Sequence, residues 1–209
     1  MGEPLHNMDA VCRAIEIMKC PLGLHLSHNK LTVSTVGLVP EMRKFLSTPI
    51  GLSVQLALSL HATTDEIRDW IVPVNKKQGH NLASLMSCLE DHFPLEGDKS
   101  VLIEYVMLKG INDTDEDASR LLKLLEKTKA KINLIVFNPH SGTRFHPSEV
   151  ERVNAFRSIL IQGGRVCTIR DSRGDDEMAA CGQLGDLAVS LRQAPILEPP
   201  ERFKDLFTL

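Results

Sequence analysis

The sequence contains no cysteine pattern that predicts a metal site. Its five cysteines are odd in number and irregularly spaced: Cys12, Cys20, Cys88, Cys167 and Cys181. Because no CxxC, CxxxC or Cys/His cluster with metal-ligand spacing occurs, neither a zinc site nor an iron–sulfur site is predicted from this chain. The pattern favours reduced thiols in an intracellular protein.

Excess positive charge and long apolar runs are missing as well. The formal net charge is -3, which gives no broad basic surface for nucleic acid, so any RNA contact must be local or come from outside this chain. No apolar run is long enough to span a membrane and no signal peptide is recognisable, so no membrane partner is predicted. With 209 residues, 43% of them hydrophobic, the chain can form one large domain with a buried core.

Strand and helix signals alternate along the chain. Strands are predicted near residues 30–35, 52–60, 101–108, 131–137 and 165–170. Helical stretches lie between them, and two of these begin with capping-box sequences, Thr63–Glu66 and Ser148–Glu151. The alternation predicts an α/β fold with a parallel sheet, either open or closed toward a barrel. We assign residues 1–192 to this unit and the proline-containing residues 193–209 to an appended, weakly packed tail.

The pattern within the strands favours a barrel. Between residues 52 and 61, one face of the strand is leucine and valine, and the other carries small and polar residues that include Ser59 and His61. A strand of a doubly wound sheet is apolar on both faces because helices cover both. Glu104 and Asn133 interrupt apolar strands in the same way. A barrel with a polar, ligand-lined interior explains these residues together, and solvent exposure of one sheet face is the alternative.

Ligands of parallel α/β proteins bind beyond the carboxyl ends of the strands. Ser34, Ser59, His61 and Asn138 fall there, and Glu3 joins them if another strand precedes it. Simpler explanations exist for several of them: a backbone hydrogen bond for the histidine, a turn before proline for Asn138, and a carboxylate at a helix N-terminus for Glu3. Their common position makes them a candidate site.

A lone cysteine, Cys181, lies in a segment of small residues between Arg173 and Leu184. Two alanines and a glycine leave its sulfur approachable, while the local charge is mixed: Arg173 favours a thiolate and three carboxylates oppose it. A small buried hydrophobic residue is the alternative role.

A series of motifs then follows one order along the chain: Met1–Leu5, Leu31–Thr35, Leu58–Ala62, Asp65–Arg68, Ile71–Lys77, Ile103–Leu108, Ile132–Ile135 with Asn138-Pro139, and Arg173–Asp176 through Cys181–Leu184. Together they resemble the RlmN/Cfr family of radical S-adenosylmethionine (SAM) RNA methyltransferases, and its RlmN branch in particular. The resemblance covers residues 1 to about 191, nearly the whole chain.

The resemblance implies a partial TIM-like barrel with SAM bound to a [4Fe–4S] cluster. The positions that match SAM contacts in the family are Gly2, Glu3, Ser34, Ser59, Leu60, His61 and Asn138. Cys181 matches the cysteine that one SAM methylates to an S-methylcysteine intermediate. A second SAM, cleaved reductively, starts the radical reaction that adds this carbon to C2 of an adenine. The implied partners are large-subunit rRNA, with tRNA as a further substrate, and an electron donor such as flavodoxin or ferredoxin.

The chain also departs from the family pattern. The CxxxCxxC cluster motif, the first barrel strands and the resolving cysteine of the family lie upstream of the turn at Gly2–Pro4. We therefore expect an incomplete barrel that lacks its first strands and a fragment that is inactive alone, without metal ligands of its own. A non-catalytic remnant that acts as a binding or regulatory module is the alternative. The expected location is the cytoplasm, or a chloroplast or mitochondrion if a transit peptide lies upstream.

Overall fold

A single parallel sheet organises the protein. The computed structural model describes residues 2–139, 143–170 and 198–206. The strands are β1 (Thr32–Thr35), β2 (Gln55–Ser59), β3 (Val101–Met107), β4 (Ala130–Val136) and β5 (Val166–Arg170). Their order in the sheet is their order in the chain, and each neighbouring pair is parallel.

In the described part of the chain, six α-helices accompany the sheet: α1 (Met8–Lys19), α2 (Val39–Leu46), α3 (Asp65–Ile71), α4 (Leu82–His92), α5 (Asp115–Leu124) and α6 (Val150–Gln162). Short 3-10 turns occupy Pro4–Asn7, His28–Lys30, Gly51–Ser53, Pro73–Lys76 and Glu201–Leu206. Within the described ranges, no helix has the length and apolar character that crossing a bilayer requires.

Among the described residues the helices cover one face of the sheet, and the strand order explains why. Crossovers between parallel strands are right-handed, so a strand order that never reverses places every crossover helix on the same face. Burial follows this rule: in β3, Val101, Ile103 and Tyr105 are fully buried, whereas Leu102 and Glu104 are half-buried. The predicted α/β fold with a parallel sheet is therefore confirmed.

A hydrogen bond across two strand spacings shows that the uncovered face is concave. The Ser34 hydroxyl on β1 donates to Glu104 Oε2 on β3 at 3.0 Å, although β2 lies between these strands. Strands that are next neighbours but one are about 9.5 Å apart in a flat sheet. A contact between short side chains on them fits a sheet that curves toward that face, as the wall of a barrel does.

The predicted boundaries needed correction where tertiary hydrogen bonds compete with local ones. α3 is capped by Thr64 rather than Thr63, whose hydroxyl donates instead to Asp117 at 2.6 Å. α6 begins after Glu149 with no side-chain cap, because the Ser148 hydroxyl donates to Asp113 at 2.6 Å. Both predicted capping boxes were wrong, since buried carboxylates elsewhere accept the two hydroxyl protons.

Residues 198–206, the described part of the predicted tail, pack against α3. Phe203 is 7% exposed and stacks on Trp70 of α3 with ring centroids 5.6 Å apart. Arg202 forms an ion pair with Glu66 at 2.8 Å on the same helix. The described part of the tail is therefore anchored to α3, because Phe203 and Trp70 bury their rings against each other.

Gly51 lies at a position where the fold leaves no room for a side chain. The predicted strand at 52–60 begins only at Gln55, because Gly51 turns the chain tightly under α2. A Cβ on Gly51 would lie 2.1 Å from the carbonyl oxygen of Phe45. Leu52, expected on the buried face of the strand, is 40% exposed as a result.

Gly51→Ala is expected to lower the free energy of unfolding by about 2 to 3 kcal/mol, because the backbone of α2 must shift to admit the methyl group. Gly23→Ala is the matched control, since the nearest atom to its Cβ is at 3.4 Å. Urea denaturation of both variants measures the effect. Equal stability of the two variants would contradict the close approach at Gly51.

Candidate functional site

A buried arginine holds the carboxyl ends of β1 and β2 together. Arg68, on α3, is fully buried. Its Nε donates to the carbonyl oxygen of Leu60 at 3.1 Å, and its Nη2 donates to that of Val36 at 2.6 Å. These carbonyls lie just past the strand ends, where neighbouring strands no longer supply backbone N–H donors. The guanidinium therefore replaces the missing sheet hydrogen bonds and fixes the rim, meaning the carboxyl ends of the strands and the residues that follow them.

Asn75 connects this arginine to two carboxylates. Its Oδ1 accepts from Arg68 Nη1 at 2.7 Å, and its Nδ2 donates to Asp65 Oδ1 at 2.9 Å and Asp69 Oδ1 at 2.6 Å. Burial lowers the pKa of Arg68 to about 10, and the two aspartates act in the opposite direction. The Arg68 guanidinium is thus still charged at neutral pH. The Asn75 amide connects it by hydrogen bonds to the two aspartates, whose negative charges balance it.

His61 is held in a backbone conformation that non-glycine residues seldom adopt. Its φ is +60°, in the left-handed region. The ring Nδ1 accepts a hydrogen bond from the backbone N–H of Val106 at 3.1 Å, so the neutral ring carries its proton on Nε2. Burial, and then the charge of Arg68, lowers the pKa of His61 to about 4. The simpler explanation, a histidine bonded to backbone, is correct for Nδ1 and leaves Nε2–H as a donor.

Asn112 holds the backbone of His61 in place through hydrogen bonds. It is fully buried, and its Nδ2 donates to the carbonyl oxygens of His61 at 2.8 Å and Val106 at 2.7 Å. Its Oδ1 accepts from the N–H of Leu108 at 2.8 Å. Every polar atom of this side chain is used, so the strained backbone at His61 is held by its surroundings.

The Glu3 carboxylate is bonded to its own chain. Oε1 accepts from the Thr35 hydroxyl at 2.8 Å and the Leu5 N–H at 3.1 Å, and Oε2 accepts from the Val36 N–H at 2.9 Å. The alternative of a carboxylate at a helical N-terminus is therefore correct, with the addition that Glu3 also ties this turn to β1. Gly2, which precedes Glu3, is exposed.

A row of polar side chains crosses the concave face. We call the residues that share one register line across four strands the polar row: Ser59, Glu104, Asn133 and Thr168. The Thr168 hydroxyl donates to Asn133 Oδ1 at 3.0 Å, and Ser34 donates to Glu104. The sequence signal was the polar interruption at Glu104 and Asn133, which was noted as evidence of a barrel and not as a site.

The other predicted positions lie at the rim in different roles. Leu60 is fully buried, and both of its backbone polar groups are bonded, to the carbonyl of Glu104 and to Arg68. Asn138 follows β4 and is half-buried. Ser34, Ser59, His61 and Asn138 thus lie at or just past the carboxyl ends of β1, β2 and β4. Cys181 lies outside the described residues.

The part of the chain that the structure describes does not fit an iron–sulfur cluster. In it, no group of three or more His, Cys, Asp or Glu side chains is arranged to hold a metal. Its cysteines are unpaired: Cys12, Cys20, Cys88 and Cys167. Burial raises the pKa of Cys167 to about 11 and that of Cys88 in the same direction, so these two thiols stay protonated at neutral pH.

Solved structures share this architecture. A radical SAM methyltransferase from Sphaerobacter thermophilus is 37% identical with a TM-score of 0.76, over 88% of this chain and 52% of that one. A domain of the pyruvate-formate lyase-activating enzyme from Bacteroides vulgatus, at 16% identity, shares the fold with a TM-score of 0.58 over 81% of this chain and 95% of that one. The singly wound sheet with its polar concave face is thus the partial barrel of the radical SAM class.

Curated relatives then define the family. The dual-specificity RNA methyltransferase RlmN of Helicobacter hepaticus is 46% identical over 184 residues, which are 88% of this chain and 48% of that protein. RlmN of Syntrophotalea carbinolica is 45% identical over 191 residues, 91% of this chain and 50% of that protein. No protein-family model matches the chain. The chain belongs to the RlmN-like family, and it spans about half the length of these relatives.

Acidification is expected to destabilise the protein through His61. The unfolded chain takes up a proton below about pH 6.5, whereas the folded chain keeps this ring neutral down to about 4. The stability contributed by His61 is therefore fully present above pH 6.5 and falls by about 2 to 3 kcal/mol as the pH approaches 4.

Urea denaturation of the wild type and of His61→Asn across this pH range measures the effect, since asparagine does not titrate and tolerates the left-handed backbone. The stability difference between the two proteins should shrink as the pH falls. A difference that stays constant would contradict the neutral, hydrogen-bonded ring.

Proposed function

We propose that this chain provides the SAM-binding rim and the methyl-carrying cysteine of a radical SAM RNA methyltransferase. What supports the proposal is the position of Ser34, Ser59, His61 and Asn138 at the carboxyl ends of the strands, in a chain of the RlmN-like family. The proposed reaction is methylation of C2 of an adenine in large-subunit rRNA, with tRNA as a second substrate. The proposed location is the cytoplasm.

The residues present fit the nucleoside half of SAM. His61 offers an Nε2–H donor, and Glu104 and Ser34 offer hydroxyl-binding groups on the concave face. Gly2 offers exposed backbone next to Glu3, which is bonded to β1. When bound to a reduced cluster, SAM supplies both the methyl group and the radical chemistry. This chain holds SAM and orients it, and Cys181 is proposed to accept the methyl group.

The cluster is proposed to be held by residues outside this chain, with reduction by a donor such as flavodoxin or ferredoxin. The chain alone is then expected to bind no stoichiometric [4Fe–4S] cluster after anaerobic treatment with iron and sulfide. The visible absorption of such a cluster and the iron content per chain measure this. One intact cluster per chain would contradict the expectation and would show that its own residues suffice.

A chimaera tests the proposed reaction. The aligned segment of the Helicobacter hepaticus RlmN is replaced by this chain and produced in a strain without its own enzyme of this kind. We expect 2-methyladenosine in digested large-subunit rRNA and tRNA, measured separately by mass spectrometry. Cys181→Ser should abolish the product, because no sulfur remains to carry the methyl group.

Cys12→Ser is the matched control, since Cys12 lies on α1 away from the rim, and it should leave the product level unchanged. Product formed by the Cys181→Ser chimaera would contradict the role of that cysteine. A folded chimaera that binds RNA without methylating it would instead support the alternative of a non-catalytic binding module.

A further inference from the structure

We propose that Glu104 binds the sugar hydroxyls of the nucleoside at this site, with Ser34 orienting its carboxylate. Glu104 thereby selects a ligand with an intact ribose over one without the hydroxyls. This inference rests on the proposed function, because SAM is the nucleoside-bearing ligand proposed for the rim. It concerns a residue of the polar row that was noted from the sequence only as a barrel-interior position.

Glu104 has hydrogen-bonding capacity left over. Its Oε2 accepts from the Ser34 hydroxyl at 3.0 Å. Within the described part of the protein, its Oε1 has no hydrogen-bond donor, and the carboxylate takes part in no ion pair. A carboxylate without a cation is an acceptor that neutral O–H groups can satisfy.

Ala57 makes the pairing of Ser34 and Glu104 possible. It is paired with Ser34 on β1 and with Leu102 on β3, and Glu104 is the next residue after Leu102 on the same face, so the contact runs diagonally past Ala57. Its methyl group is fully buried, so the two longer side chains meet above it. The serine hydroxyl then sets the direction of one carboxylate oxygen and leaves the other oxygen available on the concave face.

The surroundings of the carboxylate fit a nucleoside better than an ion. Leu102 and Val106 flank Glu104 on its own strand and face, and Ile135 lies beside Val106 on β4. All three are half-buried apolar side chains. A ribose presents two adjacent O–H donors, which match two carboxylate oxygens, while its base is a flat ring that packs against apolar groups.

The experiment titrates the 209-residue chain with adenosine and with 2′,3′-dideoxyadenosine and follows protein resonances by NMR. Glu104→Gln keeps the shape of the side chain and removes its charge. We expect this variant to bind adenosine about tenfold more weakly or worse, and to bind dideoxyadenosine as the wild type does, because hydrogen bonds to a charged acceptor are the strong ones. Glu126→Gln, at an exposed glutamate beyond α5, is the control and should change neither affinity.

The outcomes separate this inference from the function on which it rests. Equal weakening for both nucleosides, or no weakening for either, overturns the role of Glu104. A wild-type chain that binds neither adenosine nor S-adenosylhomocysteine overturns the proposed SAM site as well. Thermal unfolding of each variant checks its fold. If Glu104→Gln does not fold, Glu104→Asp serves instead, since it keeps the charge but shortens the side chain by one methylene. This variant is expected to lose discrimination between adenosine and dideoxyadenosine in the same way.

Discussion

The rim of this protein depends on the guanidinium of Arg68. Parallel strands end with carbonyl groups that lack further partners, and Arg68 supplies donors to those that follow β1 and β2. Such a buried cation is stable only when its N–H groups are bonded and its charge is balanced. Asn75 serves both requirements, because its amide oxygen accepts from the guanidinium and its amide nitrogen donates to two aspartates. Loop geometry, strand position and local charge at the rim are therefore set by one side chain.

The fold could be predicted from the sequence because its signals are local. Alternation of strands with helices indicated a parallel sheet, and alternation of residue type within strands indicated its two unlike faces. The capping residues were mistaken because Thr63 and Ser148 donate to carboxylates far along the chain. The residues of the candidate site likewise divide into those that the sequence reveals and those that it does not. Its strand-end residues follow from topology, whereas Arg68 and Asn112 matter through distant carbonyls that no local pattern reveals.

Several predicted ligand-binding residues also serve the architecture. The Glu3 carboxylate closes a turn onto β1, and one ring nitrogen of His61 is bonded to β3. The groups that remain for a ligand are the exposed backbone at Gly2, the Nε2 atom of His61 and the polar row. This arrangement fixes the position of each group before a ligand arrives, which lowers the ordering cost of binding. Structural and functional explanations of these residues are thus complementary.

The contact between Phe203 and Trp70 has a consequence for biosynthesis. Trp70 lies on the same short helix as Arg68, and its stacking partner lies near the end of the chain. At about 5 to 20 residues per second, a ribosome releases that partner on the order of ten seconds after the helix itself. During this interval Trp70 lacks its stacking ring. The final packing of the helix that anchors the rim therefore waits for a segment that is made long after the helix itself.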